Sequence, residues 1–342
     1  VVMVLVASVA FTYLSPVERR GEGFWVGAEE ITLPQLSNSS NRFTFNVYKL
    51  AASENIERNL VISPFNIYVA LTLLYEGTNG TTLQELSKAM NLPTNASLCK
   101  AYRELLGMLP LSNISGNKLS IANAVWLKEG FPFREEYAER VRNCYDAEVN
   151  SFSSPQEAVA EINDWVSKKT EEMIKKLLDE LPSGVVAVLV SAIYFDALWV
   201  KPFTSIGEKN FWTGKENVSA KFMSVQADLR VYRGDGALAV EIPYRNTSIS
   251  MIVLVPDDFR KFIEDLSFER LQEVLEGIRN ADPSKVTLKM PKFYVRTHFS
   301  DMKELLTRLG IREVFELPCT VGVGPNKLVA KIAGSMAKPD GL

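Results

Sequence analysis

The chain has 342 residues, enough for one large domain or two. Hydrophobic residues make up 46% of it and charged residues 23%, as in globular proteins, which argues against disorder. The net charge is −3 and no basic block occurs, so we expect no nucleic-acid partner.

The amino-terminal end is apolar. Residues 1–11 read VVMVLVASVAF, and residues 8–10 have the small-x-small form of a cleavage site, so we expect the end of a signal peptide or a membrane anchor. An ordinary buried strand is the alternative. Residues 16–41 are polar and predict a flexible lead-in, which makes 1–41 a segment outside the main domain. Six Asn-x-Ser/Thr sequons, each weak alone, fit an extracellular protein: Asn38, Asn79, Asn95, Asn113, Asn217 and Asn246.

Residues that carry enzyme chemistry are scarce. The cysteines Cys99, Cys144 and Cys319 are far apart and form no C-x-x-C motif, so we expect no zinc site and favour buried thiols over a disulfide. His298 is the single histidine, and no G-x-S-x-G motif accompanies it. We therefore expect no catalytic residue, no cofactor and no metal.

Several helices are predicted in the first half of the chain. Residues 41–52 have helical spacing. Ser63 and Pro64 favour the start of a helix that is apolar on nearly all sides and so buried. A further helix ends near Met90.

The middle of the chain mixes both element types. A strand is predicted over 119–127, a helix over 133–145, and a long helix that begins at Ser154–Pro155 and continues to about Leu178. Short strands follow residue 200, with helices over 259–279 and 301–309. This order favours an α+β fold.

The strongest strand signal is the stretch Val185–Val200, VVAVLVSAIYFDALWV. It has one charge, many β-branched and aromatic residues, and no polar stripe at helical spacing. It is too short and too polar at Ser191 and Asp196 to span a bilayer. We expect a central strand that is buried on both faces.

Several motifs in a fixed order together resemble the serpin family over residues 42–332. These are LVISPFNIYVALTLLYEGTNGTTLQELSKAM at 60–90, the strand and helix of 119–152, INDWVSKKTEEMIKKL at 162–177, SAIYFDALWVKPF at 191–203, and the segments 239–257 and 286–315. The resemblance implies a large central mixed sheet, sheet A, with two further sheets and about eight or nine helices. It also implies a single domain over 42–342.

The resemblance further implies an inhibitor that is not an enzyme. A serine or cysteine protease would cleave an exposed reactive loop, the loop would insert into sheet A, and the acylated protease would be dragged along and inactivated. By the same resemblance Ser63, Asn66 and Ser191 belong to the shutter, where the strands part, and Trp199 to the breach, where insertion begins. Without the family, Ser63 is an N-cap and Trp199 a core anchor.

The sequence departs from the family in three places. Asn66 replaces a usual serine and Ser191 a usual asparagine, which should change how readily the sheet parts. Asn326–Ile332 resembles the strand that pairs with Val185–Val200, but residues 333–342 no longer follow the family and the hinge, reactive loop and final strands are absent. We expect a frameshifted or incomplete gene sequence, rather than a second chain or a degenerate member. The central strand would then keep an unpaired edge.

The sequence thus predicts a secreted or anchored, monomeric inhibitor of serine or cysteine proteases. The alternative is a non-inhibitory serpin fold that acts as a binding or chaperone-like protein. The reactive site, and hence the target protease, is unknown.

Overall fold

A computed structural model describes residues 2–7, 28–57, 59–109, 116–213, 216–234, 236–293, 302–312 and 319–323. Within them lie nine α-helices and twelve β-strands. The helices are α1 (Leu33–Glu54), α2 (Pro64–Tyr75), α3 (Gly80–Ala89), α4 (Cys99–Met108), α5 (Glu135–Tyr145), α6 (Pro155–Lys169), α7 (Phe259–Asp265), α8 (Phe268–Asn280) and α9 (Met302–Arg308). The strands are β1 (Val2–Ala7), β2 (Glu29–Glu30), β3 (Ala96–Ser97), β4 (Lys118–Lys128), β5 (Ala147–Phe152), β6 (Ala187–Asp196), β7 (Thr204–Trp212), β8 (Asn217–Gly234), β9 (Ala237–Pro243), β10 (Ser250–Pro256), β11 (Ser284–Pro291) and β12 (Cys319–Val323).

Sheet A has five described strands in the order β12-β1-β6-β4-β5. The pair β4–β5 is parallel and the other pairs are antiparallel, so the sheet is mixed as predicted. The predicted central strand is β6, and its residues 187–192 are at most 1% exposed. Val200, at the end of the predicted stretch, is 55% exposed and lies beyond the strand.

The second edge of β6 is paired, against expectation. Strand β1 lies antiparallel to β6, from Val2 opposite Ala192 to Ala7 opposite Ala187. On its other side β1 pairs with β12, from Met3 opposite Val323 to Ala7 opposite Cys319. The expectation of an unpaired edge is therefore wrong. The apolar residues of β1 have high strand propensity, and their backbone groups pair with the second edge of β6. Residues 326–332, which we expected there, lie outside the described residues.

The second sheet contains β10, β9, β8 and β11 in that order, and β7 pairs with the first half of β8. Two short parallel strands, β2 and β3, form the third sheet. The predicted α+β class with three sheets is confirmed. The separate short strands predicted after residue 200 are in fact longer, since β8 runs without a break from Asn217 to Gly234.

Sheet A is covered on both faces. Alternate residues of β6, such as Ala187 and Leu189, pack with the buried helix α2 in the largest apolar cluster. The intervening residues Val188 and Val190 pack with α6 and the segment after it. Because both faces are covered, β6 is apolar at successive positions instead of alternating.

Three element boundaries differ from the predictions. Helix α1 begins at Leu33, capped by the Thr32 hydroxyl, so residues 33–41 are helical and not part of a flexible lead-in. Helix α6 ends at Lys169, not at Leu178, because Glu171 and Glu172 adopt left-handed backbone angles and the chain turns down onto the sheet. The helix predicted over 259–279 is two helices, because Ser267 caps a new one.

Two of the cysteines form a disulfide, which corrects the prediction of buried thiols. Cys99, the first residue of α4, is bonded to Cys144 in the last turn of α5. The bond joins residues 45 apart in sequence, and the loop it closes contains strand β4 of sheet A. It therefore restricts the unfolded chain and ties two helices beneath the sheet.

We expect the Cys99→Ser and Cys144→Ser variants each to lose about 4 kcal/mol of unfolding free energy, the loop-closure value for this separation. Urea denaturation monitored by circular dichroism measures this loss. Addition of a reductant should lower the stability of the natural protein by the same amount and leave both variants unchanged. A reductant effect in the variants would contradict the assignment.

A buried ion pair ties the end of α2 to α5. The carboxylate of Glu76 is fully buried, and Arg140 donates to it from Nε at 2.6 Å. The Tyr145 hydroxyl donates to the other carboxylate oxygen, and Arg140 also donates to Ser97 Oγ at 3.2 Å. Burial raises the pKa of Glu76, and the charge of Arg140 opposes that rise.

We expect Arg140→Met to cost about 3–5 kcal/mol near neutral pH, because it leaves a buried carboxylate without its cation. The pKa of Glu76 in the folded state then rises further above its unfolded value. The folded state keeps a proton that the unfolded state releases, so stability falls as the pH rises between the two pKa values. Part of the loss should therefore be recovered at about pH 5 relative to about pH 8.

The matched control is Arg142→Met on the same helix. Arg142 pairs with Glu135 at the surface, where both side chains are exposed. Its removal should change the stability by no more than about 1 kcal/mol at either pH. Equal losses for the two variants, or a loss at Arg140 that does not depend on pH, would contradict the role assigned to Glu76.

Candidate functional site

The face of sheet A that packs against α2 contains two polar side chains in an apolar layer. Ser191 of β6 lies opposite Asn123 of β4 in the strand register. Both residues are buried, and the amide of Asn123 donates to the backbone oxygen of Tyr145 at 3.0 Å. The hydroxyl of Ser191 has no hydrogen-bonding partner among the described residues. A polar group in this state destabilises the closed sheet.

The predicted shutter residues of α2 lie at its amino-terminal end. Asn66 is completely buried in the first turn. Ser63 occupies the N-cap position, but its side chain makes no capping hydrogen bond, so the N-cap stabilisation expected from the sequence is missing. Helix α2 packs against β6, the strand that contains Ser191.

Trp199 lies apart from the other three, beyond the end of β6. Its ring stacks on Tyr244 with 4.3 Å between centroids and meets Phe203 edge to face at 5.9 Å. A single bridge pairs its backbone with that of Tyr244, the residue that follows β9 of the second sheet. Burial raises the pKa of Tyr244 to about 12, so the stacked phenol stays neutral. Trp199 thus joins the end of β6 to the core of the second sheet.

The opposite face of sheet A carries a contact that sequence analysis missed. Trp126 of β4 and Trp165 of α6 meet edge to face, with 5.6 Å between centroids. Trp126 donates a hydrogen bond from its indole to Glu161 of α6, and Trp165 donates one to Glu148 of β5. Neither tryptophan belongs to a recognisable motif of catalysis or binding, and only the tertiary structure brings the four residues together.

Metal-binding clusters and membrane-spanning helices were sought among the described residues. They contain no group of three histidine, cysteine or acidic side chains that could hold a metal ion. None of the described helices is long and apolar enough to span a membrane. His298, the only candidate for a catalytic base, lies outside the described residues.

Comparison with known proteins agrees with the fold. The sequence profile of the family described as "Serpin (serine protease inhibitor)" matches residues 38–320. An uncharacterized serpin-like protein of Thermococcus kodakarensis is 30% identical over 301 residues, which are 86% of this chain and 69% of that protein. Serine protease inhibitor 42Dd of Drosophila melanogaster is 31% identical over 281 residues, which are 79% of this chain and 73% of that protein.

Solved structures give the same result. Cleaved kallistatin in complex with heparin is 25% identical and superposes with a TM-score of 0.74. The superposition covers 83% of this chain and 86% of kallistatin. Emu (Dromaius novaehollandiae) ovalbumin is 22% identical and superposes with a TM-score of 0.73. The superposition covers 81% of this chain and 78% of ovalbumin. The chain belongs to the serpin family.

The unpartnered hydroxyl of Ser191 leads to a stability prediction. Ser191→Ala should raise the unfolding free energy by about 1 kcal/mol, because it removes a polar group that is desolvated without compensation. Chemical denaturation measures the change.

Ser87→Ala is the control for this variant. Ser87 is equally buried, but its hydroxyl donates to the backbone oxygen of Leu83 at 2.7 Å, so its loss should cost about 1 kcal/mol. If both variants lose stability alike, the Ser191 hydroxyl is bonded in the folded protein and the prediction is wrong.

Proposed function

We propose that this protein is a serpin-type inhibitor of serine or cysteine proteases that acts by inserting a strand into sheet A. The observation that carries the proposal is the position of β1. Six residue pairs join it to β6 and five join it to β12, all antiparallel. A strand paired antiparallel on both edges within sheet A supports the proposal, because loop insertion requires such a position.

The proposed reaction uses the protease's own chemistry. The serine or cysteine of the protease attacks a peptide carbonyl in the reactive loop, the peptide bond breaks, and an ester or thioester to the loop forms. The released loop then adds to sheet A and its backbone groups gain partners on both edges. The acyl-enzyme is carried along and distorted before water hydrolyses it. The free energy of strand addition drives the inhibition.

The sheet is best suited to part on the β1 side of β6. Ten residue pairs join β6 to β4, whereas six join it to β1. Helix α6 packs on β4, β5 and β6, and so holds these three strands together. We propose that these elements move as one body and that Ser63, Asn66 and Ser191 lie where that body separates from the rest. Trp199, anchored on Tyr244, fixes the end at which insertion starts.

We further propose that the protein is exported and monomeric. The Cys99–Cys144 disulfide supports an oxidising compartment. Five sequon asparagines, Asn38, Asn79, Asn95, Asn217 and Asn246, are exposed, as acceptors of glycans must be. Val2–Ala7 is a strand of sheet A, the alternative that the sequence left open for the apolar residues 1–11, so the export proposal rests on the disulfide and the sequons.

A non-inhibitory binding or chaperone-like protein is the second candidate. Solved structures similar to this chain include reactive-loop-cleaved human thyroxine binding globulin, which is 21% identical with a TM-score of 0.72. In this case the serpin fold would carry a ligand or a partner and would not trap a protease. The two candidates differ in how the protein responds to cleavage of the loop.

Mixing the protein with chymotrypsin-, subtilisin- and papain-like proteases tests the proposal. The protein should form a complex with one of these proteases that survives SDS and has their summed mass. Cleavage of the protein without a complex would contradict inhibition.

A second measurement separates the two candidates. Cleavage of the loop should raise the melting temperature of an inhibitor strongly, since a strand is gained, and should leave that of a binding protein unchanged.

A further inference from the structure

The end of the β7–β8 hairpin carries an exposed tryptophan. Trp212, the last residue of β7, is 59% exposed, whereas Trp126, Trp165 and Trp199 are each at most 8% exposed. Among the described residues no other aromatic ring contacts Trp212. Its position therefore leaves a large apolar surface in water, a costly place for an indole ring.

The residue directly opposite Trp212 is an acceptor for N-linked sugars. In the register of the hairpin Trp212 pairs with Asn217 of β8, the first residue of a sequon that Val218 and Ser219 complete. Asn217 is exposed. Opposed side chains of an antiparallel pair lie on the same face, with their Cβ atoms about 4.5–5.5 Å apart. A sugar bonded to Asn217 therefore begins beside the indole ring.

The rest of this face of the hairpin is polar. The next opposed pairs on it are Asn210 with Ser219 and Glu208 with Lys221. The Ser219 hydroxyl donates to Oε2 of Glu208 at 3.0 Å. One apolar ring among polar side chains suits a sugar, which offers both C–H groups and hydroxyls. It does not suit a protein partner, since a stable interface covers about 800 Å² on each side.

The other face of the hairpin shows the contrast. Phe211 lies opposite Val218 there, and the rings of Phe211 and Phe222 are 6.4 Å apart. The apolar side chains of that face cover one another, so they need no further partner. The face with Trp212 is the one on which an apolar ring awaits a covering group.

We propose that Asn217 carries an N-linked glycan whose first sugar packs on the ring of Trp212. The transfer joins the amide nitrogen of Asn217 to C1 of the first sugar of an oligosaccharide carried on a lipid diphosphate. The bond between C1 and the diphosphate oxygen breaks, the lipid diphosphate leaves, and the amide proton passes to a base of the transferase. The inference rests on the proposed export, because sequons are glycosylated in exported proteins.

The glycan would also protect a sheet edge. Strand β7 pairs with β8 and with no other described strand, so its outer edge has no partner in the described part of the chain. An open edge that ends in an exposed apolar side chain favours association with a second chain. A bulky, polar glycan over Trp212 opposes that association.

Mass spectrometry of the protein secreted by a host that transfers N-linked glycans tests the proposal. It measures the glycan occupancy of each sequon and the rate at which a dilute oxidant modifies each tryptophan of the folded protein. Trp212 should react about twofold slower than in Asn217→Gln, because the sugar covers one of the two faces of the ring. The buried Trp126, Trp165 and Trp199 should react equally slowly in both proteins, which shows that the fold is unchanged.

The matched control is Asn38→Gln. Asn38 is another exposed sequon asparagine, in helix α1, and no aromatic residue lies three or four positions from it along the helix. Trp212 should be oxidised in this variant at the rate of the natural protein.

The reverse measurement uses Trp212→Val, which keeps a residue with high strand propensity. An amidase that cleaves the bond between the sugar and asparagine should release the Asn217 glycan from this folded variant faster than from the natural protein. The expected factor is about fivefold, which corresponds to about 1 kcal/mol of cross-strand packing. Release from the other glycosylated sequons should be equally fast in both proteins.

The outcomes separate this proposal from those on which it depends. Glycans at other sequons but none on Asn217 would overturn it and leave export standing. A glycan on Asn217 that changes neither the oxidation of Trp212 nor its own release in Trp212→Val would also overturn it. Absence of glycans from every sequon would overturn it and remove the sequons as support for export. Protease inhibition is measured separately, and its failure would leave the glycan site untouched.

Discussion

Strand β6 depends on having partners on both of its edges. Its residues 187–192 are completely buried, so each backbone N–H and C=O group must be bonded within the protein. Strand β4 satisfies one edge over ten residue pairs, and β1 satisfies the other over six. The two faces are closed by α2 and α6. The second edge of β6 is thus held by a shorter neighbour than the first, and the proposed function requires that this neighbour can be exchanged.

The two layers that cover β6 are attached by different contacts. On the α2 side the contacts are apolar packing, the disulfide between α4 and α5, and the buried pair of Glu76 and Arg140. On the α6 side they are apolar packing, the two tryptophan–glutamate hydrogen bonds to β4 and β5, and the hydrogen bonds of Asn163 to the segment that follows the helix. Helix α6 contacts β4, β5 and β6, so this layer binds the three strands to one another.

Sequence reasoning found the elements whose signals are local. The apolar run of 185–200 predicted β6, and the serine and proline at 154–155 predicted the start of α6, where the Ser154 hydroxyl accepts from the backbone N–H of Glu157. Propensity and capping depend on residues a few positions apart, so they can be read without the fold. The end of α6 could not be read in this way. Its helical pattern continues to Leu178, but burial of Ile174 and Leu178 against β6 decides where the chain leaves the helix.

Only part of the candidate site could be predicted from the sequence. Family resemblance pointed to Ser63, Asn66, Ser191 and Trp199, and their proposed roles still rest on that resemblance. Asn123, Trp126 and Trp165 belong to no motif, because a contact between two elements imposes no fixed spacing on the sequence.

The sequence by itself determined that the chain is an α+β protein of the serpin family with a buried central strand, since that information lies in runs and motifs of neighbouring residues. Only the tertiary structure decided that β1 completes the edge of β6, that Cys99 reaches Cys144, and that two tryptophans and two glutamates bind α6 to the sheet. Each of these is a contact between residues far apart in the chain, and its existence depends on the relative placement of whole elements, which no local pattern specifies.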